Sequence, residues 1–217
     1  MRWQSLLVGV THTLRLSHRS VFVRGSKADF SRNFCASSSA DKEELIMRAK
    51  ELLVQAQAVC FDVDSTVINE EGIDVLASHM GAGDAVAELT ANAMGGTMKF
   101  EDALADRLAL IKPTNQDIID CLEKHPLELT KGVKELVMLL HERDVKVFLV
   151  SGGFRSMIYP VAEELGIPAH RVYANTIIYG EDGQYKTFDD EEPTCRDGGK
   201  AVVIQRLKDD HGYSPVI

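Results

Sequence analysis

The sequence predicts an α/β fold in which a parallel sheet is interrupted by an inserted block of helices. Two short apolar runs, residues 58–61 and 145–150, have the length and composition of buried parallel strands. Between them, helical patterns are separated by glycines and by a Lys-Pro pair. Because this block lies between one strand and the next crossover, we expect it to form a helical lid.

The remaining elements follow from periodicity and turn signals. Amphipathic or capped patterns predict helices over residues 41–57, 71–79, 84–92, 99–110, 115–124, 133–140 and 201–208, and one running to Leu165. Residues 177–179 and 184–188 flank Glu181-Asp182-Gly183, which predicts a β-hairpin. The final Val216-Ile217 pair is expected to begin a further parallel strand.

Charge is unevenly distributed along the chain. Residues 1–40 carry six basic side chains and one acid, a net charge of +5, which leaves −14 for the rest because the whole chain carries −9. Because residues 41–217 are so acidic, they should repel nucleic acid and anionic membranes, which favours a small-molecule substrate. We therefore expect neither a nucleic acid nor a membrane as partner.

The first forty residues are rich in Arg and Ser, with interspersed apolar residues. This composition is typical of a mitochondrial transit peptide, and the alternative is a disordered basic tail. The cysteines are scattered, without a Cys-x-x-Cys pair, which indicates a reducing compartment: Cys35, Cys60, Cys121 and Cys195. Together these features predict a cytoplasmic or mitochondrial protein. No stretch approaches the roughly twenty apolar residues of a membrane span.

Two carboxylates follow the first strand. Because strand side chains alternate, Asp62 and Asp64 should project to the same side just past the strand's carboxyl end, where open α/β sheets bind ligands. Their mutual repulsion is relieved by a divalent cation or by protonation of one. An EF-hand does not fit, because Val67 and Ile73 would occupy its glycine and glutamate positions.

Two later segments offer groups for phosphate. Ser151-Gly152-Gly153 ends the second strand where a helix begins, so a hydroxyl, backbone N–H groups and a helix dipole could hold phosphate oxygens. Lys200 follows two glycines at the start of a helix and could neutralise a phosphate and restrain Asp62. In such a site Asp62 would attack phosphorus, and Asp64 would act as acid and base.

The order of these motifs resembles that of the haloacid dehalogenase superfamily of aspartate-nucleophile phosphatases, whose first motif is Asp-x-Asp-x-Thr/Val. Within it, four segments are similar to the family that hydrolyses O-phospho-L-serine. They are Glu70-Glu71-Gly-Ile-Asp, Ala-Met94-Gly95-Gly96, Arg107-Leu-Ala-Leu-Ile and Ser151-Gly-Gly-Phe-Arg. The resemblance covers residues 58–217.

This resemblance implies a Rossmann-like core (residues 41–70 and 128–217) with a helical cap (residues 71–127) behind the leader (residues 1–40). It implies Mg²⁺ held by Asp62 and Asp64, and hydrolysis of O-phospho-L-serine through an aspartyl-phosphate, the last step of serine biosynthesis. Glu71 would meet the substrate's ammonium group and Arg107 its carboxylate, with Met94 and Gly95 lining the cap side. It also allows a homodimer.

The chain departs from the family pattern at its end. The fourth motif, Gly-Asp-Gly-x-x-Asp after a strand, would start just past Ile217, so we expect a C-terminally truncated core with an unpaired sheet edge. Three other aspartates do not follow a strand and are not expected to replace the missing metal ligand: Asp182, Asp189 and Asp190.

Three readings stay open. The first is a magnesium-dependent phosphatase of O-phospho-L-serine. The second is a phosphatase of the same superfamily acting on another small phosphomonoester, such as phosphoethanolamine, which lacks the carboxylate that Arg107 would hold. The third is a catalytically dead chain that binds a metabolite or a full-length subunit. A nucleotide-binding module is disfavoured, because there is no Gly-x-Gly-x-x-Gly and no P-loop lysine motif. No role is assigned to His79, His125, His141 or His170.

Overall fold

The computed structural model describes residues 39–93 and 98–217. Its centre is a parallel sheet of three strands in the order β1-β2-β3, namely Ala58–Phe61, Lys146–Phe154 and Val172–Asn175. The central strand pairs Ala58 with Lys146 on one side and Leu149 with Val172 on the other. All three carboxyl ends therefore meet at one edge of the sheet, which we call the carboxyl edge.

The predicted helices are present to within a few residues at each end. In chain order they are α1 Ser39–Gln55, α2 Gly72–His79, α3 Gly83–Ala93, α4 Phe100–Ile111, α5 Asn115–Lys124, α6 Val133–Glu142, α7 Arg155–Glu164 and α8 Gly199–His211. The hairpin is also confirmed, with strands β4 Ile177–Tyr179 and β5 Tyr185–Phe188. Asp189 therefore directly follows a strand, contrary to expectation, but this strand belongs to the hairpin and not to the parallel sheet. Short 3₁₀ turns span Ala169–Arg171 and Pro193–Cys195.

Helices cover both faces of the sheet, as the α/β prediction requires. Alternate residues of β2 pack to opposite sides: Val147 and Leu149 join the cluster formed with α6 and α7, whereas Phe148 and Val150 join α8. A second large cluster joins helices α2 to α5 with β4 and β5 and with the start of α7. The inserted helices thus have an apolar core of their own, which includes the hairpin. The division into cap and core at residues 71 and 127 remains a prediction.

Two features of the sheet differ from the sequence-based prediction. The first is β3, which was not predicted, because four residues with a buried Asn at their end give too weak a strand signal. The expected unpaired edge beside β1 is also wrong for residues 57–60. There Ile217 N donates to Ala58 O (3.1 Å), Cys60 N donates to Ile217 O (2.7 Å), and Val216 pairs in parallel with Ala58. The predicted start of a further parallel strand is therefore confirmed.

The predicted leader, residues 1–40, lies almost entirely outside the described residues. Among the helices that the structure describes, none combines the length and apolar character needed to cross a bilayer.

The start of α5 carries a capping box that predicts a measurable stability effect. Thr114 N and Oγ1 donate to Asp117 Oδ2, and Asp117 N donates back to Thr114 Oγ1 (3.1 Å). Replacing Thr114 with Ala should lower the free energy of unfolding by about 1 kcal/mol at pH 7, measured by urea unfolding, whereas Thr114→Ser should retain it. Equal stability of the two variants would contradict this role.

The capping box also makes the contribution of Thr114 to the free energy of unfolding pH-dependent. The hydrogen bond from the Thr114 side chain, followed by that from its backbone, holds the pKa of the Asp117 carboxyl below its ordinary value. A lowered pKa stabilises the fold above the unfolded value of about 3.9, and this stabilisation is lost as pH falls through the folded value. We therefore expect the difference between Thr114→Ala and Thr114→Ser to narrow under acid conditions.

Candidate active site

Asp62 is the first polar residue after β1, at the carboxyl edge. It caps a five-residue turn, Val63–Val67, and its Oδ1 accepts a hydrogen bond from Val63 N (2.9 Å). Lys200 Nζ lies 2.6 Å from the same oxygen. The Asp62 side chain keeps 37% of its surface exposed and the Lys200 side chain 43%. An ion pair so accessible adds little stability. Its main effect is to place a cation against a carboxylate that solvent and ligands can reach.

The turn after Asp62 is strained and folds the chain back on itself. Ser65 adopts a left-handed conformation (φ 52°), which costs a residue with a Cβ about 1–2 kcal/mol. Two backbone bonds hold it there, from Ser65 N to Glu70 O (3.0 Å) and from Ile68 N to Val63 O (3.1 Å). Ser65 Oγ then donates to Glu71 Oε1 (2.8 Å). The turn thus keeps Glu71 beside the segment that carries the two aspartates.

Asp64 lies between the inserted helices and the end of β2. Its Oδ1 accepts from Gly72 N (2.8 Å), the first residue of α2, and its Oδ2 accepts from Ser151 Oγ (2.9 Å). Ser151 is fully buried, and its hydroxyl in turn accepts from Gly153 N (2.8 Å). A Cβ on Gly153 would lie 2.9 Å from Asp64 Oδ2, so a side chain there would displace the carboxylate. The structure thus places the Ser-Gly-Gly segment, which the sequence offered as a phosphate-binding loop, in direct contact with Asp64.

The inserted helices also reach over this loop. Phe100, the first residue of α4, lies so close to Gly152 that a Cβ on Gly152 would be 2.8 Å from the ring's Cζ. The glycine lets the aromatic ring cover the backbone of the loop. The site thus lies between the sheet edge and the inserted block.

Lys200 is placed by two glycines that precede it. Gly198 has φ 73°, a conformation that favours glycine, and α8 begins at Gly199. A Cβ on Gly199 would lie 1.6 Å from the backbone O of Pro193, so no side chain fits there. The start of α8 is therefore packed directly on the turn Pro193–Cys195. From this first turn of α8 the Lys200 side chain extends to Asp62.

The predicted substrate-binding residues are placed less completely. Arg107 is on α4, half-buried, and its Nε is buried without a hydrogen-bond partner among the described residues. Within the described residues, no hydrogen bond or ion pair joins Arg107 to Asp64 or to the residues that contact Asp64. A buried donor without an acceptor costs folding free energy. Binding of an anionic group would supply the missing acceptor. Met94 and Gly95 lie outside the described residues.

An acidic groove of about 720 Å³ opens beside Glu71. Its lining residues are Glu70, Glu71, Asp74, Val75, Ser78, His79, His125, Pro126, Leu127 and Glu128. The four carboxylates of this lining favour a cationic group. The structure also brings together His79 and His125, whose rings pack edge to face with their centroids 5.8 Å apart. Their spacing in the sequence did not predict this contact.

Two buried polar residues behind the loop were missed by sequence reasoning. Asn175 at the end of β3 is fully buried, and Thr194 is 4% exposed. Asn175 Nδ2 donates to Gly152 O (2.8 Å), while Thr194 Oγ1 donates to Asn175 Oδ1 (2.7 Å). The only signal in the sequence was an amide at the end of a strand that was itself not predicted.

Cys60 is a competing nucleophile by position, since it precedes Asp62 by two residues. Burial raises the pKa of its thiol to about 12, although the charge of Lys208 opposes the shift. The thiolate is the reactive form of cysteine, so this side chain is inert at neutral pH. Cys60 is therefore not a candidate nucleophile at this edge.

The donor chemistry at the carboxyl edge suits Mg²⁺. Asp62 and Asp64 offer hard carboxylate oxygens, and Mg²⁺ is commonly bound by one or two carboxylates with water completing its shell. Among the described residues, no group of three or more His, Cys, Asp or Glu side chains is arranged to hold a metal. The two aspartates are thus the oxygen ligands available at this edge, and an ion there would need other oxygen donors to complete its shell.

Comparison with known proteins places these residues in a family context. Residues 59–216 match the model of the haloacid dehalogenase-like hydrolase family. The chain is 49% identical over 174 residues to the chloroplastic phosphoserine phosphatase of Arabidopsis thaliana, which spans 79% of this chain and 59% of that protein. It is also 49% identical over 168 residues to the phosphoserine phosphatase of Bos taurus, 77% of this chain and 75% of that one. The chain thus covers less than two thirds of the Arabidopsis relative's length.

A solved structure shares the fold. It is described as a phospho-aspartyl intermediate analogue of phosphoserine phosphatase and is 26% identical, with a TM-score of 0.62. The superposition covers 72% of this chain and 73% of that one.

Proposed function

Because the chain belongs to the haloacid dehalogenase-like hydrolases, and within them to the phosphoserine phosphatases, we propose that it hydrolyses O-phospho-L-serine to L-serine and phosphate. One observation carries the proposal: Lys200 pairs with Asp62 and Ser151 bonds to Asp64, so two residues that are far apart in sequence each contact one of the two aspartates that follow β1. The 49% identity to curated phosphoserine phosphatases supports the choice of substrate.

In the proposed reaction Asp62 is the nucleophile. One of its carboxylate oxygens bonds to phosphorus as the bond from phosphorus to the serine oxygen breaks, leaving an aspartyl-phosphate. Protonated Asp64 donates its proton to the departing serine oxygen. It then takes a proton from the water that attacks phosphorus and releases phosphate from Asp62. The Lys200 ammonium group balances negative charge on Asp62 and on the phosphoryl group.

The loop of residues 151–153 would bind the peripheral phosphate oxygens. Without ligand, Gly153 N donates to Ser151 Oγ and Ser151 Oγ donates to Asp64. A phosphoryl oxygen offers Gly153 N a charged acceptor in place of the neutral Ser151 hydroxyl, and such bonds are roughly twice as strong as neutral ones. Phosphate would therefore displace the contact between Gly153 N and Ser151 Oγ.

We assign the metal role to Asp62, through a side-chain oxygen, and to Asp64, through its backbone carbonyl, so that the Asp64 carboxyl group stays available as acid and base. When bound, this ion supplies positive charge against the phosphoryl oxygens. Removal of divalent cations with a chelator should therefore abolish phosphate release, and added Mg²⁺ should restore it.

Recognition of the amino acid is proposed to involve four residues of the inserted block. Glu71, beside the acidic groove, would hold the ammonium group. Arg107 would hold the carboxylate, with Met94 and Gly95 lining the same side. A zwitterion requires an acid and a base at fixed separation, and the Arg fork can donate to both carboxylate oxygens.

Substitution of Arg107 should therefore change selectivity between substrates. For Arg107→Ala we expect kcat/KM for O-phospho-L-serine to fall about 10- to 100-fold, the effect of losing a hydrogen bond to a charged group. Phosphoethanolamine lacks the carboxylate, so its kcat/KM should change less than about threefold. Arg206→Ala, on the exposed face of α8, is the matched control and should leave both values unchanged. An equal loss with both substrates would refute the assignment.

The proposed function is tested by phosphate release from O-phospho-L-serine by the full chain, with Mg²⁺ and with chelator. We expect release that requires Mg²⁺ and that is faster than with phosphoethanolamine. Faster release from phosphoethanolamine would instead favour a phosphatase for another small phosphomonoester.

We further propose that residues 1–40 direct the chain to an organelle. The net charge of +5 and the Ser-rich composition support this, and the Arabidopsis relative is named as chloroplastic.

A further inference from the structure

The loop proposed to bind phosphate is a bulge in β2. Val150 pairs with Tyr173 and Phe154 pairs with Asn175, so β2 advances four residues while β3 advances two. The intervening residues 151–153 therefore have no regular ladder partners on β3. A bulge of this kind re-aims backbone groups, and each buried one then needs another partner.

Asn175 supplies that partner for the carbonyl of Gly152. The bond from Nδ2 to Gly152 O measures 2.8 Å, and Asn175 is fully buried. A backbone carbonyl can only accept, so the amide must present its NH₂ group on that side and its oxygen on the other. Thr194 Oγ1 donates to this oxygen at 2.7 Å. The threonine hydroxyl thereby fixes which way the amide faces.

The amide also fixes the direction of Gly153 N–H. In a trans peptide the C=O of one residue and the N–H of the next point to opposite sides. With the Gly152 carbonyl held toward Asn175, the Gly153 N–H points away from it, and it donates to Ser151 Oγ on the side of Asp64. If the Gly152–Gly153 peptide rotated, this donor would be turned away from the proposed phosphate position.

Thr194 joins the loop to the segment that carries Lys200. It lies in the turn Pro193–Cys195, and Gly199 packs against the backbone O of Pro193. Glu192, next to this turn, accepts from Thr176 Oγ1 (3.0 Å) and pairs with Arg155 (2.9 Å). Glu192 thus ties the chain before this turn to Arg155, which follows β2, and to Thr176, which follows β3, while the turn itself supports the start of α8.

We propose that Asn175, oriented by Thr194, is a positioning residue that aims the Gly153 N–H at the phosphoryl group. This inference rests on the proposed function, because it assumes that residues 151–153 bind phosphate. Asn175 and Thr194 act through the loop backbone and do not touch the substrate. Their loss should therefore weaken phosphate binding even where the fold survives.

The test uses the full chain labelled with ¹⁵N-glycine and titrated with inorganic phosphate in the presence of Mg²⁺. In the unsubstituted protein, phosphate should shift the Gly153 amide resonance. Thr194→Val keeps the side-chain shape but removes the donor, and we expect a dissociation constant about tenfold higher, with little shift at Gly153. Thr194→Ser restores the hydroxyl and should stay within about twofold of the unsubstituted protein. Thr187→Val, on the exposed hairpin, is the matched control.

Each outcome decides the proposal. If Thr194→Val melts at lower temperature but binds phosphate as tightly as the unsubstituted protein, Thr194 is only structural and the proposal is overturned. Thr194→Ala provides the same comparison if the valine variant does not fold. If phosphate leaves the Gly153 resonance unmoved in the unsubstituted protein, the proposal also fails, even when O-phospho-L-serine is hydrolysed. If phosphate binds as expected but no hydrolysis occurs, the proposed function fails and the positioning role stands.

Discussion

Replacing Asp62 with Asn should lower kcat for O-phospho-L-serine by about 10⁴-fold or more, as loss of a covalent nucleophile does in other enzymes. The amide cannot bond to phosphorus as a carboxylate does, and it no longer pairs with the Lys200 ammonium group. The fold should survive, because Asp62 and Lys200 are both partly exposed and their ion pair adds little stability. Phosphate release under saturating substrate measures kcat, and thermal unfolding checks the fold.

Asp210→Asn is the matched control for this variant. Asp210 is exposed near the end of α8 and does not line the acidic groove, so its substitution removes the same charge away from the carboxyl edge. We expect its kcat to stay within about threefold of the unsubstituted chain, because surface substitutions away from the reacting groups have small effects. A comparable loss in both variants would indicate that net charge, and not a nucleophile, sets the rate.

Gly199→Ala should be the most damaging small substitution. The added Cβ would lie 1.6 Å from the backbone O of Pro193 and 2.5 Å from its carbonyl carbon, so only backbone movement could relieve the clash. Overpacking of this kind costs about 3 kcal/mol, which for a chain of this size lowers Tm by about 6–12 °C. The movement also displaces Lys200, so kcat should fall about 10²-fold in the molecules that remain folded.

Gly83→Ala provides the comparison for this effect. A Cβ there would lie 3.1 Å from Ser78 Oγ, the end of a side chain that can rotate. Gly83 begins α3, where alanine favours the helix by up to about 1 kcal/mol. We expect Tm to change by less than about 2 °C. Equal loss of stability in both variants would mean that the contact with Pro193 is not the cause.

Sequence reasoning located the carboxyl edge because the relevant rules are local. The period-two alternation of a strand predicted that Asp62 and Asp64 project just past β1. In the structure Asp62 caps the turn Val63–Val67 and Asp64 lies within it. Parallel strands bring their carboxyl ends to one edge, so Ser151 was expected near the aspartates, and it bonds directly to Asp64. Lys200 was expected from motif order, and its Nζ does reach Asp62 Oδ1.

The features that escaped prediction depend on tertiary contacts. β3 is short, and its residues become a strand only because β2 offers them a partner. The bulge after Val150 has no signal beyond two glycines, so the buried role of Asn175 could not be seen. The pairing of Ile217 with Ala58 and Cys60 likewise depends on where the final turn places the chain.

The packing of the hairpin on the inserted helices was also missed. Ile177 is buried in the same apolar cluster as Leu104 and Leu108 of α4. These residues are some seventy positions apart, and no periodicity within either segment indicates the contact. Local patterns therefore predict most of the elements, whereas the structure shows how the second half of the chain supports the insertion.

Trapping the phosphoenzyme tests the central claim most directly. The full chain would be mixed with O-phospho-L-serine and Mg²⁺, quenched in acid and reduced with borohydride, which converts an aspartyl-phosphate to homoserine. Peptide mass spectrometry then locates the change. We expect homoserine at position 62 and none in the Asp62→Asn variant. Phosphate carried by another residue, or hydrolysis without any modification of Asp62, would contradict nucleophilic attack by this carboxylate.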